Sequence, residues 1–405
     1  MLGSHLAERR VGIAIVGVGG AVATTVAGGL ELLRLGLADT DGLPLAEVEC
    51  DLVPYDAMLI GGWDVIDQNL AAASEVHGVL GPREIAATGP ALSAICPWPA
   101  VGDRAFCRNI DGDHCIVASS PRAGVDTIRC DLRRFREEHE LDAVVMVNLA
   151  STECPVDVTA GPLACLDALE RALDMGDEPV GPSVLYAYAA LREGVPYANF
   201  TPSVGVDSPA LRELAEQLCV PVAGKDGKTG QTLMKTVVAP GLRARALRVD
   251  GWFSTNILGN RDGLALEDAD SRRSKLDTKG SVLDDMLGYH VEDHVVCIEY
   301  YRPRGDDKES WDTIDLVGFL GRRMQLKLNF LCRDSILAAP LVIEIARLLD
   351  CAQRRGESGP QEQLSAFFKA PMTIDGCAPE HALHRQEEML AAWLGVDRPL
   401  AHVDD

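Results

Sequence analysis

Over the first half of the chain, short apolar runs of β-forming residues alternate with longer stretches of helical periodicity. VGIAIVG (11–17) precedes a helical pattern from Val22 to Leu35, and LDAVVMVNLA (141–150) precedes CLDALERALDM (165–175). Strands that alternate with helices predict a parallel sheet covered on both faces, so residues from Val11 to about Gly230 read as a doubly wound α/β domain. Past Gly230 the texture changes. ALRVDGWFSTNILG, HVVCIEYYRP and RMQLKLNFLC are β-rich and separated by acidic or glycine-containing turns, which predicts a second, mostly β sheet. DSILAAPLVIEIARLLD (334–350) then predicts an apolar helix that packs back on the first domain, with Pro340 in its first turns, where a missing N–H is tolerated. ESGPQEQ (357–363) reads as a linker. The expected organisation is a Rossmann-type dinucleotide-binding domain over 10–231 and 335–405, and a second α+β domain over 232–334. Residues 1–9 read as a frayed leader and 401–405 as a loose tail.

Composition narrows the classes. With 405 residues, 47% of them hydrophobic, the chain can bury a large core. A formal net charge of −23 repels polyanions, and no compensating basic run exists, which argues against nucleic acid or an anionic membrane surface as partner. The most apolar segment is interrupted by Gly19 and Gly20 and carries Glu31 and Arg34, so it reads as strand, turn and helix, not a membrane span. Twelve cysteines lie singly from Cys50 to Cys377 with no CxxC pair, as expected of free thiols in a reduced, cytoplasmic compartment.

Gly17, Gly19 and Gly20 end an apolar strand just before a helix. Backbone N–H groups and the helix dipole there suit a pyrophosphate, although Val22 stands at the sixth position of the GxGxxG pattern and a tight strand-to-helix turn explains the same glycines. Asp64, in GGWDV, is a candidate ribose ligand or a turn former. GKDGKTGQT (224–232) combines Lys225, Lys228, Gly230 and Gln231 ahead of a helical run, as a phosphate site or an exposed polar loop. NILGNRDG adds Asn256, Asn260 and Asp262 in a turn after a strand. His290 with His294, and His381 with His384, have spacings open to a metal but no third ligand.

Lysine is the compositional outlier. Only eight of the 38 basic residues are lysine, and all lie between Lys225 and Lys369. Where arginine carries the surface charge, the remaining lysines are candidates for work that needs a compact ammonium able to give up a proton or sit beside an oxyanion. Lys275 and Lys279, four apart in SRRSKLDTKGSVLDDM, Lys308 in PRGDDKESWD and Lys369 in FFKAP are the strongest of these.

GVGGAVATT, GGWDV, NLASTE, SVLYAYAALREGVPYANFTPS, GKDGKTGQTLMKT, NILGNRDG, RRSKLDTKGSVLDDM, PRGDDKESWD, FLCRDSILAAP and FFKAPM, in this order, resemble the myo-inositol-1-phosphate synthase family, in a bacterial branch with short loops. The resemblance implies an NAD-dependent isomerase that converts glucose 6-phosphate to an inositol phosphate without net redox. By resemblance, Lys275 and Lys369 serve proton transfer and oxyanion stabilisation, Lys308 the reacting carbonyl and Lys279 the phosphate; Asp226, Asp262 and Asp306 complete the catalytic set. Thr229, Gly230, Gln231, Asn256, Leu258 and Asn260 match substrate-binding positions. Gly17, Gly19, Gly20, Ala21, Val22, Asp64, Leu149, Ala150, Ser151, Asp226, Asp262 and Asp334 match cofactor-binding ones. The chain departs from the family pattern at Arg261, often Asn, at Thr229, often Ser, and at Leu149-Ala150-Ser151, often Thr-Ala-Asn. The resemblance also implies a homotetramer assembled through the second sheet, making 232–334 both catalytic and oligomeric.

Overall fold

A computed structural model describes residues 9–108, 112–259 and 282–396. Within them the elements run β1 Val11–Val16, α1 Ala21–Arg34, β2 Met58–Asp64, α2 Leu70–His77, α3 Pro82–Ser93, β3 Trp98–Pro99, α4 Pro121–Glu138, β4 Ala143–Asn148, α5 Leu166–Met175, α6 Pro182–Arg192, β5 Tyr197–Asn199, α7 Pro209–Gln217 and β6 Pro221–Gly224. There follow α8 Gly230–Ala244, β7 Arg248–Leu258, β8 Asp293–Tyr300, β9 Asp307–Val317, β10 Arg323–Arg333, α9 Asp334–Arg354, β11 Gly359–Pro360 and α10 Leu383–Leu394.

The first sheet has the strand order β3-β2-β1-β4-β5-β6-β11 with every pair parallel. This is the doubly wound order, with its switch between β1 and β4. Both central strands are buried along their whole length, which is why VGIAIV and AVVMVN read as continuous apolar runs and not as alternation. Helices α4 to α7 pack on one face and α1 and α9 on the other. The long helix after Cys332 thus returns to the first sheet as its pattern implied. Pro340, however, lies at the seventh residue of α9, past the first turn, so the helix tolerates it in its interior.

The second sheet has the order β10-β9-β7-β8, with β7 and β8 parallel and the other pairs antiparallel. Three of its strands were legible in the sequence. The central strand β9, DKESWDTIDLV, was not: it is rich in acids, and only its pairing with β7 on one side and β10 on the other makes it a strand. The linker expectation for 357–363 is also corrected. Gly359–Pro360 pairs with Pro221–Val222 as the edge of the first sheet, Gln361 N–H donates to Val222 O, and Gln361 is buried. α8 covers one face of the second sheet, with Ala239, Leu242, Trp252, Ile314 and helical residues 282–287 forming its core.

Candidate active site

β1 delivers the chain into a turn that only glycine fits. Gly17 has φ 83° and a Cβ there would lie 3.2 Å from the Ala150 Cα, so a side chain would meet both strain and backbone. The Gly17 and Val18 N–H groups are tied to Trp63 O, and the Gly19 N–H donates to Asp64 Oδ2 at 2.9 Å. The second Asp64 oxygen accepts from Ile66 N at 3.0 Å. Asp64 therefore fixes the glycine turn, the turn-former alternative, and also lines the cleft. His77 Nε2 donates to Gly19 O at 2.8 Å from the end of α2, a contact that nothing in the sequence signalled. α1 starts at Ala21 with no side-chain cap, so its first N–H groups are left for a ligand.

A cavity of about 810 Å³ opens above these strand ends. Gly17, Gly20, Ala21, Val22, Asp64, Leu149, Ala150 and Ser151 line one end, as the resemblance implied, and Asp226, Thr229, Lys308, Asp334 and Lys369 line the other. The glycine cradle and the uncapped helix start fit the pyrophosphate of a dinucleotide, and the cavity is large enough for a dinucleotide and a small sugar phosphate together. Glu153, Asp103, Arg104 and Phe200 also line it and were missed, because nothing local to each sets it apart from an ordinary loop residue. Glu153 is buried against Ser183, and burial pushes its carboxyl up to about 7.

The lysines arrive from two remote segments. The 224–229 loop is zipped to the FFKAP segment by backbone bonds, among them Lys369 N to Asp226 O at 2.7 Å and Lys228 N to Phe367 O at 2.8 Å. That brings Lys369 Nζ to 2.6 Å from Asp226 Oδ1, with both side chains 4% exposed. Asp226 itself has φ 60°, a conformation uncommon outside glycine that is maintained at functional sites by the surrounding contacts. Lys308, near the start of β9, lies 3.1 and 3.2 Å from the two Asp334 oxygens, and Thr229 Oγ1 donates to Asp334 Oδ1 at 2.8 Å. Gly230 begins α8 with φ 57°, a left-handed conformation that favours glycine, and lies against the Lys308 stem. Each ammonium is thus buried with its own carboxylate, the condition under which a buried charge is tolerated.

Other expected residues stand elsewhere. Asp306 does not line the cavity. It accepts from Ser335 Oγ at 2.5 Å and Ser335 N at 3.3 Å, capping α9 behind Asp334, and burial raises its carboxyl. Its place is one layer out from the cavity wall. Gly19 and Gly230 lie just behind the wall, and Gln231 and Asn256 form a buried pair, Asn256 Nδ2 donating to Gln231 Oε1 at 2.8 Å. Leu258 pairs in register with Lys308 on the adjacent strand. The loop lysines do not reach the cavity wall: Lys225 pairs with Asp207 at 2.8 Å, and Lys228 is buried against Gln386, where burial lowers it to about 7. That corrects both the exposed-loop reading and the direct phosphate contact for these two side chains. Lys275, Lys279, Asn260, Asp262 and Arg261 lie outside the described residues. Among the described residues no group of three His, Cys, Asp or Glu side chains is placed to hold a metal. His290 pairs with Asp284, and His294 accepts from buried Lys235 at 2.6 Å.

A sequence model described as myo-inositol-1-phosphate synthase, of an NAD-binding type, matches residues 40–395. The chain belongs to the myo-inositol-1-phosphate synthase family. It is 41% identical to inositol-3-phosphate synthase 1 of Bacteroides thetaiotaomicron over 96% of this chain and 95% of that one. The inositol-3-phosphate synthase of Brassica napus is 31% identical over 84% of this chain and 70% of its own. The higher identity to the bacterial protein agrees with the short-looped bacterial branch. Among solved structures, inositol-3-phosphate synthase of Caenorhabditis elegans superposes with a TM-score of 0.87 at 28% identity, over 96% of this chain and 86% of that one. A myo-inositol-1-phosphate synthase-related protein from Thermotoga maritima gives 0.79 at 27% identity, over 96% and 99%. NAD is the cofactor of this family, and the glycine turn over α1 fits it.

Proposed function

We propose that this family member acts as an inositol-3-phosphate synthase, taking D-glucose 6-phosphate to 1D-myo-inositol 3-phosphate with no net redox. NAD, when bound, supplies the hydride acceptor for C5 and returns the hydride after ring closure. The observation that carries the reading is the convergence of two buried lysine–carboxylate pairs, Lys369–Asp226 and Lys308–Asp334, on the cavity that the glycine turn opens.

The chain's own groups then divide the work. Lys369 exchanges a proton with the sugar as charge builds on oxygen, and Asp226, 2.6 Å away, aims it. Lys308 stabilises the oxyanion at the reacting carbonyl, and a fixed ammonium in a water-poor pocket does this better than solvent. Arginine could supply the charge but not the proton step. The start of α8, Thr229 to Gln231, offers N–H groups and a helix dipole to the phosphate. Lys275 and Lys279 complete the set by resemblance.

The second unit, 232–334, serves catalysis and assembly. On the outer face of its sheet Phe253, Val295 and Trp311 are 49%, 44% and 49% exposed, and Phe253 and Val295 are register partners. Large apolar side chains in adjacent strands fit a second copy of the chain, and a homotetramer is the assembly proposed. Among the described residues no helix is long and apolar enough to cross a membrane, and a cytoplasmic location fits twelve free cysteines.

The test is to incubate the protein with glucose 6-phosphate and catalytic NAD and identify the phosphorylated product by NMR. A cyclitol phosphate without NADH accumulation is expected. Stoichiometric NADH with a ketosugar would make the chain a sugar-phosphate dehydrogenase instead.

A further inference from the structure

At the cofactor end of the cavity, the glycine turn uses its own N–H groups internally. Gly17 and Val18 donate to Trp63 O, Gly19 to Asp64 Oδ2 and Gly20 to Gly17 O at 3.0 Å, so the donors left for a ligand are those of the first turn of α1. Their direction follows from the peptide unit that joins Gly19 to Gly20, directly ahead of the helix. A glycine on each side makes this unit the easiest in the turn to rotate. Its N–H is tied to Gly17 O, and its oxygen accepts from His77 Nε2 at 2.8 Å. A carbonyl only accepts, so that ring nitrogen carries a proton.

His77 is placed from the second unit. It is the last residue of α2 and, half-buried, lines the cavity together with Gly17, Gly20 and Ala21. Gly78 closes the helix with φ 62°, and the carbonyls of Gly78 and Val79 accept from Arg333 Nη2 at 3.2 and 2.7 Å. Arg333 ends β10 and directly precedes Asp334, the partner of Lys308, but is itself absent from the cavity wall. One short strap, from Arg333 through residues 78 and 79 to His77 and Gly19 O, therefore joins the substrate end of the cavity to the dinucleotide turn. The plainer role for two basic side chains at the end of α2 is to complement its dipole. That role would stabilise the helix and leave the turn alone, whereas the bond to Gly19 O reaches the turn directly.

We propose that His77, held in place by Arg333, is a positioning residue for the cofactor: it fixes the Gly19–Gly20 peptide so that the remaining N–H groups at the start of α1 face the pyrophosphate. Asp64 secures the nitrogen of Gly19 and His77 its oxygen, so this glycine is gripped on both sides of its Cα. The proposal rests on the glycine turn as the NAD site and is independent of which sugar phosphate the chain converts.

NAD binding is titrated by fluorescence on the whole chain, with glucose 6-phosphate kinetics at saturating NAD measured alongside. His77→Ala is expected to raise the Kd for NAD about fivefold, the loss of one neutral hydrogen bond, while kcat and the KM for glucose 6-phosphate stay near wild type. His77→Gln, whose Nε2 can donate to the same carbonyl, should recover most of the affinity. Arg333→Met should raise the Kd by a smaller factor, and the double variant should bind NAD no worse than His77→Ala alone. An unchanged Kd in His77→Ala, a glutamine variant no better than alanine, or effects that add in the double variant would each overturn the assignment. A lower melting temperature with unaltered NAD affinity leaves only the helix-dipole role and overturns it as well. Should His77→Ala not fold, Arg333→Met still decides: a raised Kd for NAD with an unchanged sugar KM supports the strap, and an unchanged Kd sinks it. NAD binding is read without turnover, so a chain that binds NAD but makes no cyclitol phosphate would fail the synthase reading and leave the His77 effect measurable.

Discussion

The two sheets distribute polarity in opposite ways. The first buries both faces, and its central strands β1 and β4 carry almost nothing but aliphatic side chains; its chemistry sits beyond the strand ends, on turns. The second sheet, at the end nearest the cavity, puts Ser254, Asn256, Lys308, Ser310 and Asp312 on the buried inner face, with Phe253, Val295 and Trp311 on the open outer one. Burying polar groups in preference to available aromatics is costly unless they are hydrogen-bonded or used. The inversion marks the inner face as a site and the outer face as a surface meant to be covered. The glycine turn presents backbone to the cavity, whereas the side chains that reach it come from a strand at Lys308 and from loops at Asp226 and Lys369.

That contrast breaks most sharply at Lys369. Lys369→Arg keeps a cation opposite Asp226, so the fold should survive, but proton transfer should fail; kcat is expected to drop by about 10³-fold or more in a steady-state assay. NAD affinity, measured by fluorescence titration, should stay near wild type, and near-normal turnover would remove the mechanism. On the first sheet the corresponding change is Gly17→Val, which places a β-branched side chain at positive φ against Ala150. A weakening of NAD binding by about tenfold or more and a stability loss of about 1–3 kcal/mol are expected by titration and thermal melting.

The outer face supplies the third test. Trp311→Glu should shift the assembly to a smaller species by light scattering while the secondary structure by circular dichroism is unchanged; an unaltered mass would show that this face is not the contact. The smallest effect concerns Glu153. Its folded pKa is raised to about 7, so the folded state binds the extra proton between about 4.5 and 7; the contribution is favourable at the low end of that window and is lost as pH rises through 7. Ser183 Oγ has one proton and two oxygen neighbours, Glu153 at 2.9 Å and Val204 O at 2.6 Å, which suits a protonated Glu153 that donates to it. Glu153→Gln should fold normally and gain stability relative to wild type above pH 7, by a few degrees in melting temperature at most. A constant difference between the two proteins from pH 5 to 8 would count against a buried neutral acid here.

The dinucleotide half was legible because its signals are local. A continuous apolar run, three glycines and a helical period of 3.6 lie within 25 residues of one another, and together they specify a strand, a tight turn and a helix. Lysine scarcity singled out Lys308 and Lys369, and the structure sets both into the cavity wall. The same scarcity extends to Lys225 and Lys228, which the fold turns toward Asp207 and Gln386. It could not distinguish a lysine buried for structure from one buried for chemistry, since the difference lies in which carboxylate stands opposite. Strand β9 was invisible for a related reason: acids depress strand propensity, and only neighbours on both edges repay it. β11 is two residues long and has no pattern to read.

What the sequence determined by itself was the alternation that makes a parallel sheet, the glycine turn, and a short roll of residue types able to move protons beside a sugar phosphate. What only tertiary structure decided was partnership. Lys369 meets Asp226 across 143 positions, Lys308 meets Asp334 across a strand and helix start, and Asp312 reaches Gln231 from 81 positions away. Periodicity is a property of neighbours along the chain, whereas the direction of a hydrogen bond and the charge state of a buried group depend on whatever the fold places opposite them.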